Sequence, residues 1–205
     1  MKLLKLDLDI DSIIIGERVK GGIYRPCLET IPSSTVQGAF KYYLGLDLKG
    51  VGFFDAGTYE IRDFTYSVKD KLLEVAKMPF ISSCLYPSGR ERIRAVIYLM
   101  TNDAIDKNIF RNLSLTIGAL KSKGFGKSKV INIEEIESEI KQGIFKVRVF
   151  EDEVSLFGVE VLSPVYGYLF YARDSVSGIY KKAIFEGSLV RAPEFFLKEA
   201  TFYDE

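Results

Sequence analysis

The chain has 205 residues, 47% of them hydrophobic, with 28 basic and 28 acidic side chains, two cysteines and no histidine. That length suffices for one large domain or two small ones with a real core, and a net charge of zero leaves any polyanion site to local clustering of charge. The missing histidine removes the commonest general base, every Ser-His or Cys-His nucleophile pair and all His-ligated metal sites, so Lys, Tyr or carboxylates would have to carry any catalysis.

Cys27 and Cys84 stand far apart and outside any metal-ligand spacing, which reads as two free thiols in a reducing cytoplasm. No apolar run reaches membrane-spanning length. The opening MKLLKLDLDIDS is broken by charge at alternate positions, unlike a signal peptide, so a cytoplasmic protein without membrane contact is expected.

Along the chain, Leu4, Leu6, Leu8 and Ile10 alternate with Lys5, Asp7, Asp9 and Asp11, predicting a half-buried strand with one wet face. The three aspartates read as a solvated face in preference to a metal site. After the loop 16–32, SSTVQGAFKYYL predicts a helix capped by Ser33 or Ser34. Val36, Ala39, Phe40, Tyr43 and Leu44 form its apolar stripe and Gly45 ends it. Gly38 inside that helix predicts a close neighbour against its backbone. Strands are expected at 58–68 and 93–100, with an irregular or short helical excursion at 69–78 and a turn at 87–92.

A second helix is expected from Asp103 to Leu120, with Ile105, Ile109, Phe110, Leu113, Ile117 and Leu120 on one face. KVINI (129–133) predicts a short strand. Further strands are expected at 144–150, 154–162 and 166–172. The order suits an α+β fold: a ferredoxin-like (RRM-like) β-α-β-β-α-β unit with insertions over residues 1–135, and a β-rich C-terminal extension over 136–205 packed on it.

Between the second expected helix and its strand stands KSKGFGKSK (121–129), with four lysines, two glycines and no acid. It is not a Walker A loop: the first glycine of that motif would fall on Lys121, and here the loop follows a helix instead of opening one. A polynucleotide suits it better. Glycines bring peptide N–H groups close to phosphates, and lysines add charge without base preference. Phe125 reads either as a ring that stacks on a base or as one tucked into the core. The run 131–140 that follows carries four glutamates and no base, an adjacent block of opposite sign.

IPSSTVQGAFK (31–41) and IGALKSKGFGKSKV (117–130) resemble, in sequence and in order, two segments of the RAMP superfamily of CRISPR-associated proteins: the one that opens the first helix, and the G-rich loop. The resemblance implies a non-catalytic subunit of a CRISPR (type III-like) ribonucleoprotein effector complex that binds guide RNA, without a cofactor. Its implied partners are other RAMP subunits and a large polymerase-like subunit. Carried over by position, it makes Ser33, Ser34, Lys41, Lys121, Ser122, Lys123, Gly124, Phe125, Gly126 and Lys127 RNA contacts. Ser33 stands where the family usually has glycine, and Gln37 where Lys or Arg is common. Tyr24, in GGIYRP, stands where target-cleaving members carry an aspartate, and a phenol cannot hold a hydrated metal as a carboxylate does. Tyr24 and Arg25 then either clamp the RNA or close a loop over the core.

Two alternatives belong to other classes. One is a metal-independent endoribonuclease processing CRISPR precursor RNA, with Tyr24, Tyr42 or Lys41 orienting a 2′-hydroxyl. The other is a structural subunit whose lysine loop, acidic 134–139 segment or aromatic tail (Phe195, Phe196, Phe202, Tyr203) docks on protein. Exposed aromatics in that tail would point to a partner, buried ones to ordinary packing.

Overall fold

Alternation of period two dictates a strand with a dry and a wet face. In the computed structural model, which describes residues 2–16, 24–70, 72–89, 91–101, 105–173 and 177–198, β1 (Lys2–Ile10) buries Leu4, Leu6, Leu8 and Ile10 and turns Lys5, Asp7 and Asp9 the other way. Along the chain follow β2 (Tyr24–Arg25), β3 (Thr30–Ile31), α1 (Ser33–Leu44), β4 (Lys49–Phe54), β5 (Tyr59–Tyr66), β6 (Phe80–Pro87), β7 (Ile93–Thr101), β8 (Ser114–Thr116) and β9 (Lys127–Ile136). Six of these strands form one antiparallel sheet in the order β3-β4-β7-β1-β9-β8. The β5–β6 hairpin, with β2 beside β6, makes a smaller sheet.

On the wet face each aspartate has a base. Asp7 is 3.2 Å from Lys5, Asp9 is 2.9 Å from Arg94 and Asp11 is 3.2 Å from Arg92. On the dry face α1 lays Val36, Ala39 and Phe40 against the leucines of β1, with Phe110 edge-on to Phe40 at 5.8 Å. Gly45 closes the helix at φ 68°, its N–H donating to the Lys41 carbonyl at 3.1 Å.

The start of α1 departs from expectation. Pro32 is the N-cap and no side chain caps the helix. The Ser33 hydroxyl instead accepts from the Phe150 N–H at 3.2 Å, tying the helix to the C-terminal part of the chain. Gly38 also departs: a Cβ there would meet nothing within 4 Å, so its bare Cα faces open space and no packed neighbour.

The expected second helix does not form. Residues 102–104 lie outside the described ones. Lys107–Phe110 is a single 3-10 turn capped by the Asp106 carboxylate, and β8 follows it. Three residues with positive φ break the path: Asn112 at φ 56° and Leu120 at φ 50°, with Gly118 at φ 87° between them. Ser114-Leu115-Thr116 then finds a ladder partner in Lys127–Lys129 of β9. Long-range pairing has overridden a helical pattern.

The C-terminal part contains β10 (Ile140–Ile144), β11 (Val149–Phe150), β12 (Glu160–Ser163), β13 (Tyr166–Ala172), β14 (Gly178–Ile184) and β15 (Leu189–Pro193). They form two sheets, β10-β15-β12 and β11-β14-β13. The strand expected at 144–150 is interrupted, and that at 154–162 begins only at Glu160, because Glu151–Phe157 winds into a 3-10 helix ended by Gly158. Phe145, Val147, Phe157 and Phe196 pack under Val51 and Tyr98, so this part covers the β4–β7 portion of the sheet's second face. Phe196 is fully buried and Phe195 stacks on Tyr98 at 4.2 Å, which is ordinary packing; Phe202 and Tyr203 lie outside the described residues. Among the described residues no helix is long and apolar enough to cross a membrane.

One ion pair joins the two parts. Glu153, 4% exposed, meets Lys49 Nζ at 2.9 Å and leaves its second oxygen without a partner. Burial lifts the Glu153 carboxyl above the ordinary range in spite of Lys49. Burial also pulls on Lys49, but there the bond to Glu153 prevails and holds the ammonium above its usual value. The deeper carboxylate bears the desolvation, so the pair contributes little net and its halves matter only together. Lys49→Met should cost about 2 kcal/mol in urea titrations at neutral pH. The loss should shrink as pH falls through the raised carboxyl pKa and the acid becomes neutral, and Glu153→Leu in the same chain should recover most of it.

Candidate nucleic-acid interface

The lysine-glycine stretch is clasped to the segment after β1. The Gly126 N–H donates to the Ser12 carbonyl at 2.7 Å, Ala119 N–H to Ile14 at 2.8 Å, and Ile117 N–H to Gly126 at 2.9 Å. Gly126 sits at φ 81° and a Cβ there would lie 1.8 Å from the Ile117 oxygen. Gly124, at φ 94°, has open space around it. The two glycines thus differ: Gly126 is buried structure, and Gly124 is the exposed one.

Phe125 turns inward between them. It is 4% exposed, packs with Ile14 and Cys84, and meets Phe64 and Tyr86 edge-on at 4.9 and 6.0 Å. The base-stacking expectation for this ring is corrected by its having no free face. Ser33 is likewise buried, its amide and hydroxyl both used within the fold, so it offers RNA nothing.

The lysines part company. Lys127 and Lys129 alternate with the buried Ser128 and Val130, and Lys129 lies opposite Asp9, so both face away from α1. Lys121, Ser122 and Lys123 form an exposed 3-10 turn on the helix side, with Lys121 Nζ 5.7 Å from the centre of the Tyr42 ring.

Beside Lys121 opens a cleft of about 850 Å³ between α1 and the β13–β14 hairpin. Ser34, Lys41 and Lys121 line it, together with Arg148, Arg173, Tyr42, Tyr168 and Tyr180, and among the described residues no carboxylate does. Among the described residues no acid forms an ion pair with Lys41, Lys121 or Arg173, nor with Lys123, Lys127 or Lys129. Arg148 is held by Glu186 through two bonds of 2.6 Å and lies over Phe185. Burial would raise the Glu186 carboxyl, but these bonds outweigh it and hold it below the ordinary range. The uncapped N-terminus of α1, with no acid in its first turn, adds a partial positive charge, and the bare Gly38 keeps the helix wall open. Spread cations of this kind suit the chemistry of a flexible polyanion, whose charge runs along its chain.

Of the residues expected from sequence, Ser34, Lys41 and Lys121 come together here, with Ser122, Lys123 and Gly124 exposed next to them. Tyr24 and Arg25 are elsewhere, on β2. Tyr24 is 52% exposed, while the Arg25 guanidinium lies 4.8 Å over Phe80, so β2 does not join the cleft. Gly21, Gly22 and Ile23 fall outside the described residues. Sequence reasoning missed Arg148 and Arg173 and the rings of β13 and β14; the run YGYLFYAR read as a strand and nothing more. A larger cleft, about 1020 Å³, lies on the wet side of the sheet, but Asp7, Glu29, Asp55 and Glu186 share it with Arg94, Lys146 and Lys198. Mixed signs give it no uniform field for a polyanion.

No family model and no curated protein matches the chain. Its fold is shared with a chain in the cryo-EM structure of the Type III-B Cmr-beta bound to cognate target RNA and AMPPnP, at a TM-score of 0.59 and 12% identity over 92% of this chain and 86% of that one. A chain in the structure of the Type III-B Cmr-beta bound to cognate target RNA matches with a TM-score of 0.58 and 12% identity, over 91% and 86%. The structural neighbours are thus chains of CRISPR complexes, and the likeness is one of fold.

Phe125→Ala should lower stability by about 3 kcal/mol, as for an emptied aromatic core site, while Lys121→Ala leaves it unchanged. Gly126→Ala should unfold the loop or the protein, whereas Gly124→Ala costs only about 1 kcal/mol from its backbone angle. Chemical denaturation of the four variants checks both contrasts.

Proposed function

We propose that this chain is a RAMP-type, non-catalytic RNA-binding subunit of a CRISPR (type III-like) effector complex, working in the cytoplasm. It holds guide RNA in the cleft between α1 and the β13–β14 hairpin, alongside other RAMP subunits and a large polymerase-like subunit. The observation that carries this reading is the cluster of Lys41, Lys121 and Arg173 in a cleft where, among the described residues, no acid pairs with them and no carboxylate lines the wall. The fold shared with chains of the Cmr-beta complexes supports it. The central strands, with β1 and β7 inside β4 and β9 and α1 on one face, support a ferredoxin-like unit whose second helix has given way to a 3-10 turn and β8.

The chemistry of the cleft supports a holding role. With no histidine in the chain and no carboxylate among the described lining residues, the cleft offers phenols, amines and guanidines to move a proton. The thiols lie outside the cleft, and burial pushes Cys27 up to about 11 and Cys84 up to about 12, far from thiolate chemistry at neutral pH.

Filter binding of single-stranded RNA across a salt series tests the proposal. Lys41→Ala with Lys121→Ala should reduce the slope of log K against log salt by about 1.4, the share of two phosphate contacts on a single strand. Lys127→Ala, on the far face of the sheet, should leave it unchanged. Salt-independent binding, or none either alone or in the assembled complex, would overturn the reading. Incubated with a CRISPR repeat transcript in EDTA, the protein should leave the RNA intact; defined products with 2′,3′-cyclic ends would assign it to precursor processing instead.

A further inference from the structure

We propose that the exposed rings lining this cleft form a stacking platform for unpaired bases, so that the site takes single-stranded RNA and rejects a duplex. The inference rests on the RNA-holding reading above and specifies the form of RNA held.

Tyr166, Tyr168 and Phe170 alternate on one face of β13, and Tyr180 of β14 lies directly opposite Phe170. Tyr166, with Lys182 Nζ 3.6 Å over its ring and that lysine bonded to Glu151, does not line the cleft. Further along, Phe170 lies across Gly178, where a Cβ would come within 2.4 Å of the ring, and meets Tyr180 edge-on at 5.6 Å. A strand with any other residue at 178 would push this ring off the surface. Tyr168 is 67% exposed and Tyr180 50%, while Tyr42, 78% exposed, stands on the helix wall. Rings this exposed contribute little to folding, and they border the cations Lys41, Lys121 and Arg173.

Spacing decides the form of the nucleic acid. Tyr168 and Tyr180 are diagonal neighbours across the β13–β14 pair, a spacing of about 7–8 Å and roughly twice the 3.4 Å repeat of stacked bases. A single strand can open its stack and lay bases against the rings while its phosphates reach the cations on the rim. A duplex keeps its base faces covered and has none to offer.

The test uses the full chain, a single-stranded RNA carrying 2-aminopurine, and the duplex of the same sequence. The single strand should bind at least ten-fold tighter than the duplex, with its 2-aminopurine fluorescence quenched. Tyr168→Ala with Tyr180→Ala should weaken binding about ten-fold or more, relieve the quenching and leave the salt slope unchanged. Tyr168→Phe should behave as the parent, and thermal melts should show all variants folded. Equal affinity for duplex, or alanine variants that bind and quench like the parent while Lys41→Ala and Lys121→Ala lose affinity, would overturn the platform and leave the RNA-holding reading intact. Loss of RNA binding in the parent chain itself would overturn both.

Discussion

The carbonyl oxygen of Ile117 leaves no room for a side chain at residue 126. That one exclusion organises the candidate site. With glycine there, the chain after β8 folds back on the Ser12–Ile15 segment through a set of backbone bonds, and the turn between them has a single orientation. Phe125 then faces inward to fill the gap between the central sheet and the β5–β6 hairpin, and Lys121 faces outward beside α1. The lysine-glycine stretch is thus a hydrogen-bonded clasp with a charged rim. That bonding matters for a holding site, because a phosphate gripped from a bonded turn costs less loop entropy than one gripped by a floppy tether.

The parts of the fold legible from sequence were those in which local pattern and tertiary environment agree. The alternation of β1, the stripe of α1 with its terminal Gly45 and the aromatic run of β13 came through with nearly their observed bounds. The stretch from Lys107 to Leu120 did not, since its helical spacing competes with pairing to β9, which sequence does not display. Ile109 shows the conflict: it belongs to the expected apolar face and is 40% exposed, while Phe110, Leu115 and Ile117 are buried. The direction of Phe125 was equally hidden, because its partners Phe64 and Tyr86 come from a hairpin some forty to sixty residues earlier in the chain. Lys41 and Lys121 were readable as charge, but their convergence with Arg173 needed the fold.

A net charge of zero concealed the field of the site. The acids of the chain are largely spent on other bases: Asp9 on Arg94, Glu134 on Lys5, Glu151 and Asp152 on Lys182 and Lys181, Glu186 on Arg148. The acidic block after residue 133 illustrates this, for Glu134 and Glu135 reach Lys5, Lys2 and Lys107 and do not reach back to the lysine turn that precedes them. Among the described residues, Lys41, Lys121 and Arg173 are bases that no acid pairs with, and they lie together at the cleft. Sequence counts charges, and a polyanion responds to those left over after the protein has paired its own.

The second face of the central sheet explains why the helix side carries the site. In RNA-binding sheets of this general kind, aromatic side chains on the open face stack bases. Here the β4–β7 portion of that face is occupied by the chain's own C-terminal part: Phe195 lies parallel to Tyr98 at 4.2 Å with their planes 8° apart, the position a base would take, and Lys146 sits 4.1 Å over Phe53. Val51, Phe53, Val96 and Met100 pack into the same cluster. Exposing that surface would mean stripping away the layer formed by Phe145, Phe157 and Phe196, which is core. The same C-terminal part that closes one face supplies β13 and β14 to the other, so the β-rich extension moves the aromatic surface from the sheet to the hairpin and sets it opposite the N-terminus of α1. A nucleic acid meeting this protein therefore finds rings and free cations together in one cleft, on the side where the clasp at Gly126 has placed Lys121.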